Sequence, residues 1–190
     1  MASKASLQRL AAEVRREINL KNSEPFDPGR WSQEYGVPIL SLGEIPASPE
    51  ARDRFARDAP GKWSAATIRD GSGHVVIYNH SHAPVRVLSN LAHEVAHLIA
   101  EHELSAAWID SDGRCKGSSI AQERDAAELA GALLVPMEQA RYLAMRGADP
   151  GAVAAQYNVS LKMATWRLDA SGGRRIAERA RARRAAATLP

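Results

Sequence analysis

Cysteine is almost missing from this chain. It occurs once in 190 residues, at Cys115. An intramolecular disulfide is thereby excluded, and a lone thiol suits a reducing compartment. Long apolar runs are missing as well. No stretch approaches the roughly 18–20 residues that a membrane-spanning helix requires, so no membrane partner is expected. The N-terminal stretch MASKASLQRLAAEVRREINL alternates charged and apolar positions at helical spacing. It lacks the continuous apolar core of a secretory signal. Together these absences predict a cytoplasmic protein. Internal repeats are absent, and only the Ala/Arg-rich C-terminal tail is of low complexity.

What is present is the balance of an ordinary globule, with 45% hydrophobic and 25% charged residues. A chain of this length buries a core without covalent staples. The net charge of +3 is unevenly placed: residues 171–190 hold six arginines and one glutamate, a local +5. A solvated basic helix is the simplest reading of that tail. Contact with nucleic acid or an acidic partner is the sharper one.

Leu7, Leu10, Ala11, Val14 and Ile18 recur at helical steps and predict a first amphipathic helix. A short helix over about 28–35 should close at Gly36, and VPILSL reads as a strand. The stretch from Glu44 to Lys62 looks irregular or partly helical. Two β-rich runs flank Asp70-Gly71-Ser72-Gly73 and predict a hairpin. One helix is expected from Val85 to about His102, then a polar loop, then a second long helix over about 120–135. Further helices should follow Pro136, the Asp149-Pro150 cap and Ser160, and SGG should separate a basic last helix. Strands early and helices late indicate an α+β fold. Residues 1–148 read as the main domain. Residues 149–190 read as a helical extension with helix-turn-helix-like spacing and a basic tail.

The chemistry concentrates in LAHEVAHLIAEHE, residues 91–103. HEVAH is an HExxH motif. On a helix His93 and His97 lie one turn apart on one face, so both imidazoles can reach one metal ion. Zn²⁺ suits such ligands in a tetrahedral set with one position open to water, whose pKa falls to about 7. Glu94, beside the first histidine, is then the general base. A third ligand is needed. The extended motif HExxHxxGxxH is excluded by Ala100 and Glu103. Glu101 lies one turn past His97, but three successive turns of one helix surround an ion poorly. His102 falls off the His93–His97 face and reads as polar filling. The following helix offers Glu123, Asp125 and Glu128. Tyr78, His80 and His82 are candidates to stabilise a developing oxyanion. The four tryptophans read as core or rim aromatics, and Cys115 as a small loop residue.

RVLSNLAHEVAHLI, followed by ERDAAELAGALLVP with its first glutamate 26 residues past His97, resembles the ImmA/IrrE family of zinc metallopeptidases. PFDPGRWSQEYGVPIL, HVVIYN and YNVSLKMATWRL extend the resemblance over about residues 24–168. It implies a zincin-like fold: an N-terminal helix, a small β-sheet, an active-site helix and a helical C-terminal half. It further implies His93, His97 and Glu123 as zinc ligands and Glu94 as general base. Asp125 ranks behind Glu123, and Glu128 is expected to face solvent. Ala127, Leu129 and Val135 depart from the family pattern at what are expected to be packing positions.

The resemblance implies a regulatory metalloendopeptidase that cleaves or disables a specific protein, such as a helix-turn-helix repressor. The competing expectation is a DNA- or protein-binding regulator with a residual zinc site. In that case Lys162, Arg167 and the arginine tail would meet phosphates.

Overall fold

A computed structural model describes residues 2–102, 108–109, 115–116 and 119–187. Helix α1 (Lys4–Glu17) is capped by the Ser3 side chain and buries Leu7, Ala11 and Val14. Helix α2 (Pro28–Tyr35) starts at an Asp27 cap and stops at Gly36, which takes the left-handed conformation at φ 65°. That conformation carries a steric cost for residues with a Cβ and none for glycine. Strand β1 (Ile39–Ser41) follows. The region expected to be irregular or partly helical holds helix α3 (Pro49–Asp53), a π-helical turn at Arg54–Asp58 and a 3₁₀ turn at Pro60–Lys62.

The hairpin forms as β2 (Ala65–Asp70) and β3 (Gly73–Tyr78), antiparallel, with Thr67 opposite Val76. Strand β3 also pairs with β1 in parallel, so it lies at the centre of a three-stranded sheet. Alternation along β2 buries Ala65 and Thr67 on one face. Helix α4 (Pro84–Ile99) packs against β2 and β3. Its approach is anchored by Asn79, a buried amide. Asn79 Nδ2 donates to the carbonyls of Phe55 (2.7 Å) and Trp63 (3.2 Å), and its Oδ1 accepts from the Ser81 N–H and hydroxyl.

Within the stretch expected to be a polar loop, β4 (Trp108–Ile109) and β5 (Cys115–Lys116) form a two-stranded antiparallel ribbon. Glu103 and the side chains of Trp108 and Cys115 lie outside the described residues. Helix α5 (Ile120–Leu134) packs between α1 and α4 and is the core element, with Leu129, Leu133 and Leu134 fully buried. Helices α6 (Met137–Met145), α7 (Pro150–Tyr157), α8 (Leu161–Ala170) and α9 (Gly173–Ala187) complete the described residues. Asp149 and Ser160 cap α7 and α8 as their side-chain chemistry requires. Val153, Tyr157, Ala164 and Leu168 join the same buried cluster as α1 and α5. Gly131 lets α8 approach, since a Cβ there would meet the Trp166 ring at 2.6 Å. The fold is α+β, with helices predominating. Among the described residues no helix is long and apolar enough to cross a membrane.

Two expectations need correction here. Helix α4 ends at Ile99 rather than near His102, because Glu101 turns left-handed at φ 51°. Arg167 is fully buried: its Nε donates to the Val135 carbonyl at 3.0 Å. A guanidinium so placed does not reach a phosphate.

Candidate metal centre

Helix α4 presents His93 and His97 one turn apart. Helix α5 begins with a complete capping box: Ser119 Oγ accepts from the Gln122 N–H, and the Gln122 side chain accepts from the Ser119 N–H. This start puts Glu123 in the first helical turn. Buried alanines on both helices, Ala92 and Ala96 on α4 and Ala126 and Ala130 on α5, permit a close approach.

Donor atoms of three side chains meet as a result. His93 Nε2 lies 3.2 Å from His97 Nε2 and 3.2 Å from Glu123 Oε2. His97 Nε2 lies 3.5 Å from Glu123 Oε1. Two ligand atoms about 2.0–2.1 Å from one ion, at a tetrahedral angle, stand about 3.3 Å apart. The observed spacing therefore suits a small ion. Among the described residues this is the group of His, Cys, Asp or Glu side chains able to hold a metal. The His97 side chain is 7% exposed, His93 33% and Glu123 47%, so the cluster is closed beneath and open above. Burial, reinforced by the neighbouring His93, holds the His97 pKa below its ordinary value against the opposing pull of Glu123. A neutral imidazole keeps the lone pair that a metal needs.

Glu94 is the next residue along α4 and turns toward the sheet. There Thr67 Oγ1 donates to its Oε2 at 2.8 Å. Burial raises the Glu94 pKa above the ordinary carboxylate value, while the Thr67 bond and His93 hold it back. Sequence reasoning misses Thr67. Alternation in β2 marks its face, but nothing local names Glu94 as its partner.

The other candidates lie elsewhere. Glu101 is exposed beyond the helix end. Asp125 Oδ2 accepts from the Ala2 backbone N–H at 3.0 Å. Glu128 does not face solvent as expected. It is 8% exposed, with Arg167 Nη1 3.3 Å from its Oε1 and Lys4 Nζ 3.6 Å from its Oε2. The arrival of α8 over α5 covers it. His102 is not mere filling either, since its Nδ1 sits 3.0 Å from His97 Nδ1. His82 bonds the Pro60 carbonyl through Nε2 at 2.7 Å, His80 is exposed, and Tyr78 ends β3 opposite Ala65. Leu129 and Val135 are buried packing positions, whereas Ala127 is exposed.

Comparison with curated proteins returns no match. The family model for the M78 peptidases, the IrrE N-terminal-like domain, matches residues 34–169. That span contains the three-stranded sheet, the histidine pair on α4, Glu123 on α5 and nearly all of α8. The match covers more than half of the chain, which therefore belongs to the M78 peptidase family.

Proposed function

We propose that this metallopeptidase is a zinc-dependent endopeptidase with a regulatory role in the cytoplasm, acting on a specific protein partner of the helix-turn-helix repressor class. One observation carries the catalytic part: two imidazole nitrogens and the two oxygens of the Glu123 carboxylate, with contacts of 3.2–3.5 Å, stand beside a sheltered carboxylate on the helix of the histidines. Two imidazole nitrogens and one carboxylate oxygen form a set that catalytic zinc favours. Calcium and magnesium prefer oxygen ligands throughout. His93, His97 and Glu123 would hold a zinc ion, which would supply Lewis-acid activation of water and of the scissile carbonyl.

The remaining work falls to this chain. Glu94 takes the proton of the attacking water as a new C–O bond forms. Thr67 occupies Oε2 and steadies the carboxylate, leaving Oε1 for the transfer. A pKa raised by burial makes Glu94 a stronger base. The same group then returns the proton to the leaving amine as the C–N bond breaks.

A specific partner is supported by α9. Its six arginines are exposed and lie beyond the family-matched span. Such a helix can dock an acidic surface or a partner already on DNA. Direct DNA binding by α7 and α8 has less support, because Arg167 is buried.

The test is Glu94→Gln in the full chain. The amide keeps the shape and the three ligands but cannot accept the proton. Zinc content should remain at the wild-type level while peptide hydrolysis falls by about 10²–10⁴. Undiminished hydrolysis in this variant would refute the assignment of Glu94.

A further inference from the structure

Helix α4 is closed by a defined turn. The Glu101 N–H bonds the Leu98 carbonyl at 3.1 Å, and the His102 N–H bonds the His97 carbonyl at 3.1 Å. Glu101 between them is left-handed. This pairing is a Schellman motif, with Glu101 in the C′ place that glycine usually takes. The turn folds the chain back so that residue 102 returns beside residue 97. The ring completes the return. His102 Nδ1 lies 3.0 Å from His97 Nδ1, and the two rings meet edge-on at 71°. His102 thus engages His97 twice, by backbone and by side chain.

From this geometry we infer that His102 is a positioning residue for the metal centre. It accepts the Nδ1–H of His97 and so holds the tautomer and ring plane in which His97 Nε2 faces His93 and Glu123. The inference rests on reading those three residues as metal ligands. Two ring nitrogens 3.0 Å apart share one proton, not two. A lone pair on His97 Nε2 requires the hydrogen on Nδ1. His102 Nδ1 is then the acceptor and carries its own hydrogen on Nε2. Without that acceptor, a donor on a 7%-exposed side chain loses its partner. The competing tautomer, with the hydrogen on Nε2, then becomes accessible and cannot ligate through that atom. Partners that orient a ligating histidine typically contribute about 10–100-fold to metal affinity.

The experiment uses full-length His102→Leu and His102→Asn. Each is stripped of metal, titrated with zinc against a chromophoric chelator, and substituted with cobalt(II) for visible spectra. Asparagine can place an acceptor oxygen where Nδ1 stood, whereas leucine cannot. Wild type should bind one zinc per chain. His102→Leu should bind about 10–100-fold more weakly, with an altered cobalt spectrum, and His102→Asn should recover most of the affinity. Glu101→Gly serves as a control: it relaxes the left-handed position, keeps His102, and should bind zinc as wild type does. Wild-type affinity and spectrum in His102→Leu would overturn the inference and leave the ligand set standing. Equal weakening in both His102 variants, tracking lowered thermal stability, would reduce His102 to packing and also overturn it. Absence of zinc binding by wild type would instead bring down the ligand reading itself.

Discussion

Replacing Arg167 with methionine should destabilise the protein without touching the three residues of the metal centre. The guanidinium is fully buried, bonded to the Val135 carbonyl at the end of α5 and 3.3 Å from Glu128 Oε1. Removing one member of a buried pair strands the other charge, at a cost of about 3–5 kcal/mol. Lys4 compensates little: it lies 3.6 Å from Glu128, but its side chain is 78% exposed and solvent screens it. Gln8 adds one long bond at 3.5 Å. These residual partners favour the lower end, about 3 kcal/mol. For a domain of this size that corresponds to a fall in melting temperature of roughly 6–12 °C. The double variant Arg167→Met with Glu128→Leu should regain most of the loss, because apolar residues replace a buried ion pair at little cost. Urea unfolding followed by far-ultraviolet circular dichroism reads the effect, with DNA retention at low salt measured in parallel. Wild-type stability in Arg167→Met, together with lost DNA retention, would refute the reasoning. It would make the guanidinium a phosphate contact of a helix-turn-helix.

Glu123→Ala should lose most of its zinc, whereas Asp125→Ala should keep it; elemental analysis showing the reverse would move the third ligand to Asp125. Acidification should weaken the zinc-free protein. Burial lowers the folded-state pKa of His97, so below the ordinary value of about 6.5 the unfolded chain binds a proton that the folded chain refuses. Stability is therefore lost as pH falls from about 6.5 toward about 4. Glu94 opposes this, since its raised pKa makes the folded state gain as the carboxylate protonates. Chelator-treated Glu94→Gln should thus show the steeper loss, and a flat profile in that variant would contradict the His97 shift. Deleting residues 174–190 should weaken capture of the protein partner and spare zinc content, while rapid casein digestion unaffected by the deletion would argue for a general peptidase.

Most of what depended on a few neighbouring residues could be read from the sequence. HExxH implies two imidazoles on one helical face whatever surrounds the helix. Gly36, Asp149 and Ser160 act within their own turns, and each appears at the predicted helix boundary. Glu123 is different. Its reach depends on how closely α5 lies along α4, which no local pattern states, and the family resemblance singled it out among three acidic candidates. Glu128 was misread for the same physical reason. Its burial is created by Arg167, 39 positions later, and neither residue alone announces the other. Thr67 and Glu94 are 27 positions apart and on different elements. The end of α4 was hidden differently: residues 100–102 contain no glycine or proline, and a left-handed glutamate is uncommon for any residue with a Cβ. That misplaced end concealed His102. A helix continued through residue 102 carries its ring away from His97, whereas the observed turn brings it back to 3.0 Å. The polar partners that were missed, Thr67 and His102, are those that hold a motif residue in one orientation. Two histidines on a helix can meet many ions weakly. A carboxylate steadied by a hydroxyl and an imidazole backed by a second imidazole restrict both the geometry and the protonation state, and catalysis depends on that restriction.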